Sequence, residues 1–373
     1  VCYKTHINFN ASAGYRLLSI FAQGLLNQGG LQVLTRDIIV IGASAGGIEA
    51  LRTIARGLPQ DFPASVFVVL HTAPQSPGIL ADILARAGAL PASNALDKEA
   101  IQHGRIYVAP PDHHLVIEPN RVRITRGPKE NRFRPAVDPL FRSAAQVYGP
   151  RVIGLILTGN LDDGTAGLWA VKRLGGTAIV QDPEEALAPS MPHSAMRQVK
   201  VDHCLPVGEI APLLARLAST PMTEEGERQA PKEMKIEVRI AKEDVALDAG
   251  VLTLGEPSNY ACPECHGVLL QLNEEQRIRF RCHTGHAYSV DSLLSEITKG
   301  VEDSLWNAIR AIEESVLLLR HMARSLTESE NSATAERYLA QAQEAERRAD
   351  FVRQAVITQK LLSEAKLNDV KEP

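Results

Sequence analysis

Ser44 stands in the stretch Gly42-Ala43-Ser44-Ala45-Gly46, between an apolar run (IIVI) and a segment with helical periodicity. Three chemistries use such a glycine-rich strand-to-helix turn. A phosphate or dinucleotide site uses it to bring backbone N–H groups and a helix N-terminus to an anion. An esterase uses the same bend to expose a serine hydroxyl, and GASAG fits G-x-S-x-G. The third possibility is structural, with Ser44 capping the helix. Gly42, Gly46 and Gly47 alone do not separate them.

The next apolar run does. A dinucleotide fold wants Asp or Glu at the end of its second strand to hold the ribose, whereas ASVFVVL ends in His71 and Thr72. A third run, VIGLILTGN, leads into LDDG, which brings Asp162 or Asp163 to the same sheet edge if the strands are parallel. Nucleophile, imidazole base and orienting carboxylate would then share one crevice. The order Ser, His, Asp differs from the Ser, Asp, His of ordinary α/β-hydrolases.

A second cluster lies far downstream. NYACPECHGVL supplies Cys262 and Cys265, and RFRCHTGHAYS supplies Cys282 and His286. Two short ligand pairs joined by a strand-like stretch can close a tetrahedral Zn²⁺ site. His283 is the alternative fourth ligand and His266 a weaker one. With three of five cysteines in this stretch, the spacing suits a metal in a reducing compartment rather than a disulfide framework.

The elements that must position these residues follow from periodicity. Apolar runs at 37–42, 65–71, 151–158 and 177–181 alternate with amphipathic segments at 47–57, 138–148 and 164–174, which predicts a doubly wound, mainly parallel α/β sheet over residues 37–218. Three short alternating pieces between 105 and 125 predict an antiparallel excursion at one sheet edge. Residues 219–256 are charge-rich and read as a linker with one short strand at 236–240. A small zinc-ribbon-like module at 257–289 and a long helical hairpin or coiled coil over 290–373 complete the chain. The apolar stripe from Leu293 through Ile309 and Val316 to Leu319 recurs at helical spacing and suits a helix pair or an oligomer. Residues 1–36 are read as a disordered leader; their apolar run at 17–26 is too short to span a bilayer.

The 373 residues carry a net charge of −4, which gives no whole-chain basic field for nucleic acid. Arg277, Arg279 and Arg281 are a local exception. The glutamate-rich helices and sparse aromatic residues leave nucleic-acid binding a distant reading.

IGASAGGIEAL, LILTGNLDDGTAG, VAPPDHHL, RPAVDPLF and SMPHSAM together resemble the signature segments of bacterial chemotaxis protein-glutamate methylesterases of the CheB type, over about residues 37–218. The resemblance implies Ser44 as nucleophile, His71 as base and Asp163 as acid, with Asp162 the fallback. It implies methylated glutamates of chemoreceptors as substrate, glutamine deamidation as a related activity, cytoplasmic location and no cofactor for catalysis. Ala45 and Asn160 are the expected backbone oxyanion donors, with Asn160 and Thr72 standing where the family usually has Met. His114, Arg134 and Met191 fall in signature segments without an assigned catalytic role. Familiar members carry an N-terminal phosphorylated receiver domain. The residues before position 37 are too few for one, so control is expected from the C-terminal module, by docking to a partner or by oligomerising. The alternative reading is a catalytically altered relative serving as a signalling adaptor.

Overall fold

The computed structural model describes residues 34–222, 228–242, 245–272, 274, 277–328 and 332–358. The leader expectation therefore falls almost wholly outside the described residues. Seven strands form the main sheet in the order β3-β4-β2-β1-β7-β8-β9. These are β1 (Ile38–Ala43), β2 (Ser65–Leu70), β3 (Ala92–Asn94), β4 (Arg105–Val108), β7 (Val152–Ile156), β8 (Thr177–Gln181) and β9 (His203–Leu205), all paired in parallel.

Both faces of this sheet are covered, which is why its strands read as continuous apolar runs rather than alternating ones. On one face α1 (Gly47–Gly57), α2 (Leu80–Ala87) and α6 (Val207–Ser219) bury Ile54, Leu84 and Leu214 against Ile39, Ile41, Val66 and Val68. On the other, α3 (Val137–Tyr148), α4 (Thr165–Arg173) and α5 (Ser190–Gln198) bury Phe141, Leu168 and Met191 against Val40, Val69 and Ile156. In α1 the buried positions Gly47, Ala50, Leu51, Ile54 and Ala55 keep the three-and-four spacing of one helical face.

Two local expectations are corrected. Of the three alternating pieces, β4 belongs to the parallel sheet, and only β5 (His114–Glu118) and β6 (Arg121–Thr125) form an antiparallel hairpin. The expected strand at 236–240 is instead helix, part of α7 (Lys232–Ala241). The alternation Ile236-Glu237-Val238-Arg239-Ile240 imitates a strand because Glu237 breaks the apolar pattern, yet Glu237 is itself buried by arginine partners. Met234, Glu237, Val238 and Ala241 share one helical face. Beyond α7, the short helix α8 (Ala246–Ala249) and Val251 and Leu254 join Ile236, Ile240 and Leu272 in a small apolar cluster.

A four-stranded antiparallel sheet follows, in the order β10 (Gly255–Ala261), β11 (Val268–Leu272), β12 (Arg279–Cys282) and β13 (Ala287–Ser289). It leads into the 39-residue α9 (Val290–Glu328) and the 27-residue α10 (Ser332–Thr358). These helices are antiparallel: Ile309, Val316 and Ala323 are buried on one and Ala335, Ala342 and Ala349 on the other, each seven residues apart. Arg320–Glu346 and Arg353–Glu313 tie the flanks. Among the described residues no helix is long and apolar enough to cross a membrane.

Candidate functional site

β1 has β2 on one side and β7 on the other, so the chain leaves the sheet in opposite directions around β1, and its carboxyl end lies at a topological switch point. Ser44 follows β1 directly. Its N–H donates to Thr158 O at 3.0 Å, and its carbonyl accepts the Gly47 N–H at 2.9 Å. Thr158 braces the turn a second time by donating its hydroxyl to Ala45 O at 2.9 Å. Gly46 sits at φ +77°, the left-handed region, where an added Cβ would also lie 2.8 Å from the Leu187 side chain. These constraints leave Ser44 half-buried on a sharp bend with Ala45 exposed beside it.

His71 follows β2, its N–H donating to Ala43 O at 3.1 Å. Its Nε2 lies 2.7 Å from Asp163 Oδ2, with both side chains only 2% exposed. The ring is stacked on Phe133, centroids 3.7 Å apart and planes 8° from parallel. The other ring nitrogen, Nδ1, is buried without a hydrogen-bond partner. Ser44, Ala45 and His71 line one cavity of about 460 Å³ together with Thr72, Asp112, Lys129, Arg132, Phe133 and Arg134. Asn160 is exposed and is not among its lining residues.

Asp163 is surrounded by donors. Oδ2 also accepts the Val137 N–H at 2.7 Å, while Oδ1 accepts from Asn131 Nδ2 at 2.9 Å and from the Gly164 N–H at 2.9 Å. Burial alone would raise this carboxyl. The His71 hydrogen bond and charge, the Val137 N–H and the Asn131 amide outweigh it and hold Asp163 below the usual aspartate value. Asp162, the fallback acid, faces elsewhere and accepts the Ser289 hydroxyl at 2.6 Å. Burial, with Asp291, Asp138 and Asp163 nearby, pushes it up to about 7.

The histidine and signature residues sort by contact. Buried His114 lies with Nε2 3.0 Å from Pro128 O and accepts the Ala136 N–H on Nδ1, so it braces backbone. Arg134 lines the cavity and grips Asp112 through Nε and Nη2 at 2.9 and 2.7 Å. Met191 is fully buried, packed where a side chain on Gly159 would have to go. Sequence reasoning missed Asn131, Phe133 and Asp138. Asp138 accepts the Gly167 N–H at 2.6 Å and the Asn131 amide at 3.0 Å, and burial beside Asp163 raises it to about 7. The only cue was their place in or just before RPAVDPLF, a segment entered through a left-handed backbone at Asn131 (φ 48°) and Arg132 (φ 80°).

Downstream, Cys262, Cys265, Cys282 and His286 bring their ligand atoms within 4.8 Å of one another. Zinc–thiolate bonds of about 2.3 Å on a tetrahedron separate two sulfurs by about 3.7 Å. The Cys265–Cys282 sulfurs are 3.6 Å apart, and His286 Nδ1 lies 3.7 Å from Cys262 Sγ and 3.5 Å from Cys282 Sγ. This donor set could hold a metal ion such as zinc. Of the alternatives, His283 is exposed with its ring against Gly267, and His266 is also exposed; neither joins the group.

The family model for CheB methylesterase matches residues 39–214. A putative protein-glutamate methylesterase/protein-glutamine glutaminase of Leptospira interrogans is 42% identical over 182 residues, 48% of this chain and 94% of the relative. The chain belongs to the CheB methylesterase family. A second member, protein-glutamate methylesterase/protein-glutamine glutaminase 2 of Anaeromyxobacter dehalogenans, is 40% identical over 181 residues, which are 48% of this chain and 53% of the relative. The crystal structure of the Thermotoga maritima CheB methylesterase catalytic domain matches with a TM-score of 0.47 and 37% identity, covering 48% of this chain and 98% of that one. The CheB match ends before α7, so the Cys-His cluster and the long helices lie outside it.

Proposed function

We propose that this chain hydrolyses glutamate methyl esters on the cytoplasmic helices of chemoreceptors, and deamidates glutamine there, through Ser44, His71 and Asp163. The observation that carries the reading is the buried 2.7 Å contact between His71 and Asp163 at the strand end beside the one bearing Ser44. Because Nε2 is committed to Asp163, Nδ1 is the nitrogen left to take the Ser44 proton. Ser44 Oγ attacks the ester carbonyl, Nδ1 accepts its proton and returns it to the departing methanol, and water then releases the acyl group by the reverse proton traffic. Asp163, held ionised by its donors, fixes the ring tautomer and stabilises the imidazolium.

The developing oxyanion is assigned to backbone N–H groups of Ala45 and Asn160, each such donor contributing about 3 kcal/mol to the transition state. Ala45 lies in the cavity lining, which supports its part; Asn160 is exposed and outside that lining, so its part has no such support. A metal held by Cys262, Cys265, Cys282 and His286 would leave no open coordination position, so its role is structural.

Methanol release from methylated receptor membranes tests the reading. The unchanged chain is expected to release methanol and Ser44→Ala to release none above background. Equal release from both, or none from either, would count against the esterase and leave an interaction role.

A further inference from the structure

Asn131 has no hydrogen-bonding capacity to spare. Its amide donates to Asp163 Oδ1 at 2.9 Å and to Asp138 Oδ2 at 3.0 Å. Its carbonyl accepts the Ser289 N–H at 2.9 Å and the Ser292 hydroxyl at 3.2 Å. Ser289 ends β13 and Ser292 opens α9, so the residue touching Asp163 is held from behind by the C-terminal module.

The backbone is joined at the same place. The Asn131 N–H donates to Ala287 O at 2.8 Å, and the Ala287 N–H donates to Lys129 O at 3.2 Å, so β13 adds a short parallel rung to residues 129–131. This rung opposes the unfavourable left-handed turn at Asn131 and Arg132 that delivers Phe133 onto the His71 ring. Ala287 directly follows His286, one of the four clustered ligands, and Arg281, beside Cys282, bonds Glu130 at 2.9 Å.

We propose that Ser289 and Ser292 lock Asn131 as a positioning residue for Asp163 and, through Phe133, for His71, and that a metal in the Cys262/Cys265/Cys282/His286 cluster keeps this lock in place. The proposal rests on the esterase reading. It makes the module an integral part of the site rather than a lid over it.

The opposite arrangement has some support, because Glu264 and Glu296 of the module pair with Lys129 and Arg132 in the cavity lining, as an inhibitory mask would. Those pairs are partly exposed, and exposed ion pairs contribute about 0–1 kcal/mol. The lock is buried, and four hydrogen bonds cross it to the module at roughly 1 kcal/mol each: those from the Ser289 N–H and the Ser292 hydroxyl to the Asn131 side chain, and the two backbone bonds of the Ala287 rung. Arg281 behind it is fully buried on Glu130 and Glu237, so detaching the module would strand charges. The balance favours a support.

The test uses the full chain and a fluorophosphonate, which phosphonylates an activated serine with loss of fluoride and needs no receptor. Ser289→Ala/Ser292→Ala leaves the Ser289 N–H in place but removes the Ser292 hydroxyl from Asn131 together with the Ser289 hydroxyl that holds it at 2.9 Å, and is expected to slow Ser44 labelling roughly ten- to a hundred-fold, the size of a displaced catalytic group. Ser289→Thr/Ser292→Thr, which keeps both hydroxyls, is expected to label at nearly the parent rate. Labelling of the alanine variant within twofold of the parent would overturn the lock. Amide exchange supplies the second readout: removing metal from the unchanged chain is expected to speed exchange at Asn131 and Ala287, restored by zinc chloride, with β1 and β2 unaffected. Identical exchange with and without metal would overturn the link to the cluster. Failure of the parent to label at Ser44 would overturn the esterase reading by itself, and exchange would still decide the lock.

Discussion

The sheet that carries Ser44, His71 and Asp163 and the seam that joins it to the C-terminal module are held by different forces. Around β1, the buried side chains are Ile38, Ile39, Val40 and Ile41, and each contributes roughly 1.5–3 kcal/mol by leaving water, with no specific partner required. In the seam, the fully buried side chains are charged. Arg142 and Arg281 flank Glu130; Glu237 meets Arg279 and Arg281 at 2.7 Å; and Arg277 stacks on Trp169, 3.9 Å from its ring centroid. Apolar packing tolerates a changed neighbour, whereas a buried ion network tolerates no missing member.

The largest effect expected is functional and confined to the first region. Asp163→Asn keeps the shape of the side chain but offers an amide where Val137, Gly164 and Asn131 all present donors. Methanol release should fall on the order of 10⁴-fold, as expected when the imidazole loses its orienting carboxylate. Activity within tenfold of the parent would assign the acid role elsewhere.

Next in size is a break in the seam. Glu237→Ala removes the shared partner of Arg279 and Arg281, leaving buried guanidiniums short of compensation at a cost of about 3–5 kcal/mol. Denaturant unfolding should show that loss in the part of the transition reporting on the module, while a sheet-core change such as Ile39→Val should cost only about 0.5–1.5 kcal/mol. A loss below 1 kcal/mol for Glu237→Ala would mean that the charges are not what joins the two regions.

The same contrast explains what could be read in the sequence. Strands buried on both faces announce themselves as apolar runs, and three such runs ending in Ser44, His71 and an Asp pair placed those residues at adjacent strand ends. The Cys-x-x-C and Cys-x3-His spacings carried the Cys-His cluster in the same way. Charge burial has no such period. Glu237 looked like a solvent residue in an alternating strand because its partners Arg279 and Arg281 lie more than forty positions away. Asn131 was invisible for a similar reason, its role being defined by Asp163 on one side and by Ser289 and Ser292 on the other. The choice between Asp162 and Asp163 depended on which carboxylate turns towards β2, which two adjacent letters do not encode.

A last effect separates the two regions by the sign of their pH response. In the seam, burial opposes ionisation of Glu237, but Arg142, Arg279 and Arg281 hold it well below the usual glutamate value. Its contribution is present above about pH 4 and is lost as pH falls further, towards its folded-state value. Asp162 runs the other way. Burial, reinforced by Asp291, Asp138 and Asp163, raises it to about 7, so the folded chain keeps a proton that the unfolded chain releases near pH 4. Between those values the folded state binds more protons, and stability falls as pH rises. Asp162→Asn removes that titration while keeping an oxygen to accept the Ser289 hydroxyl. Its stability relative to the parent should climb from pH 4 to pH 7, by up to about 4 kcal/mol for a carboxyl raised from about 4 to about 7, and then level off. A difference that stays flat between pH 4 and pH 8 would show that Asp162 is ionised in the folded chain. The carboxylates behind the site would then be stabilised by partners in the same way as those in the seam.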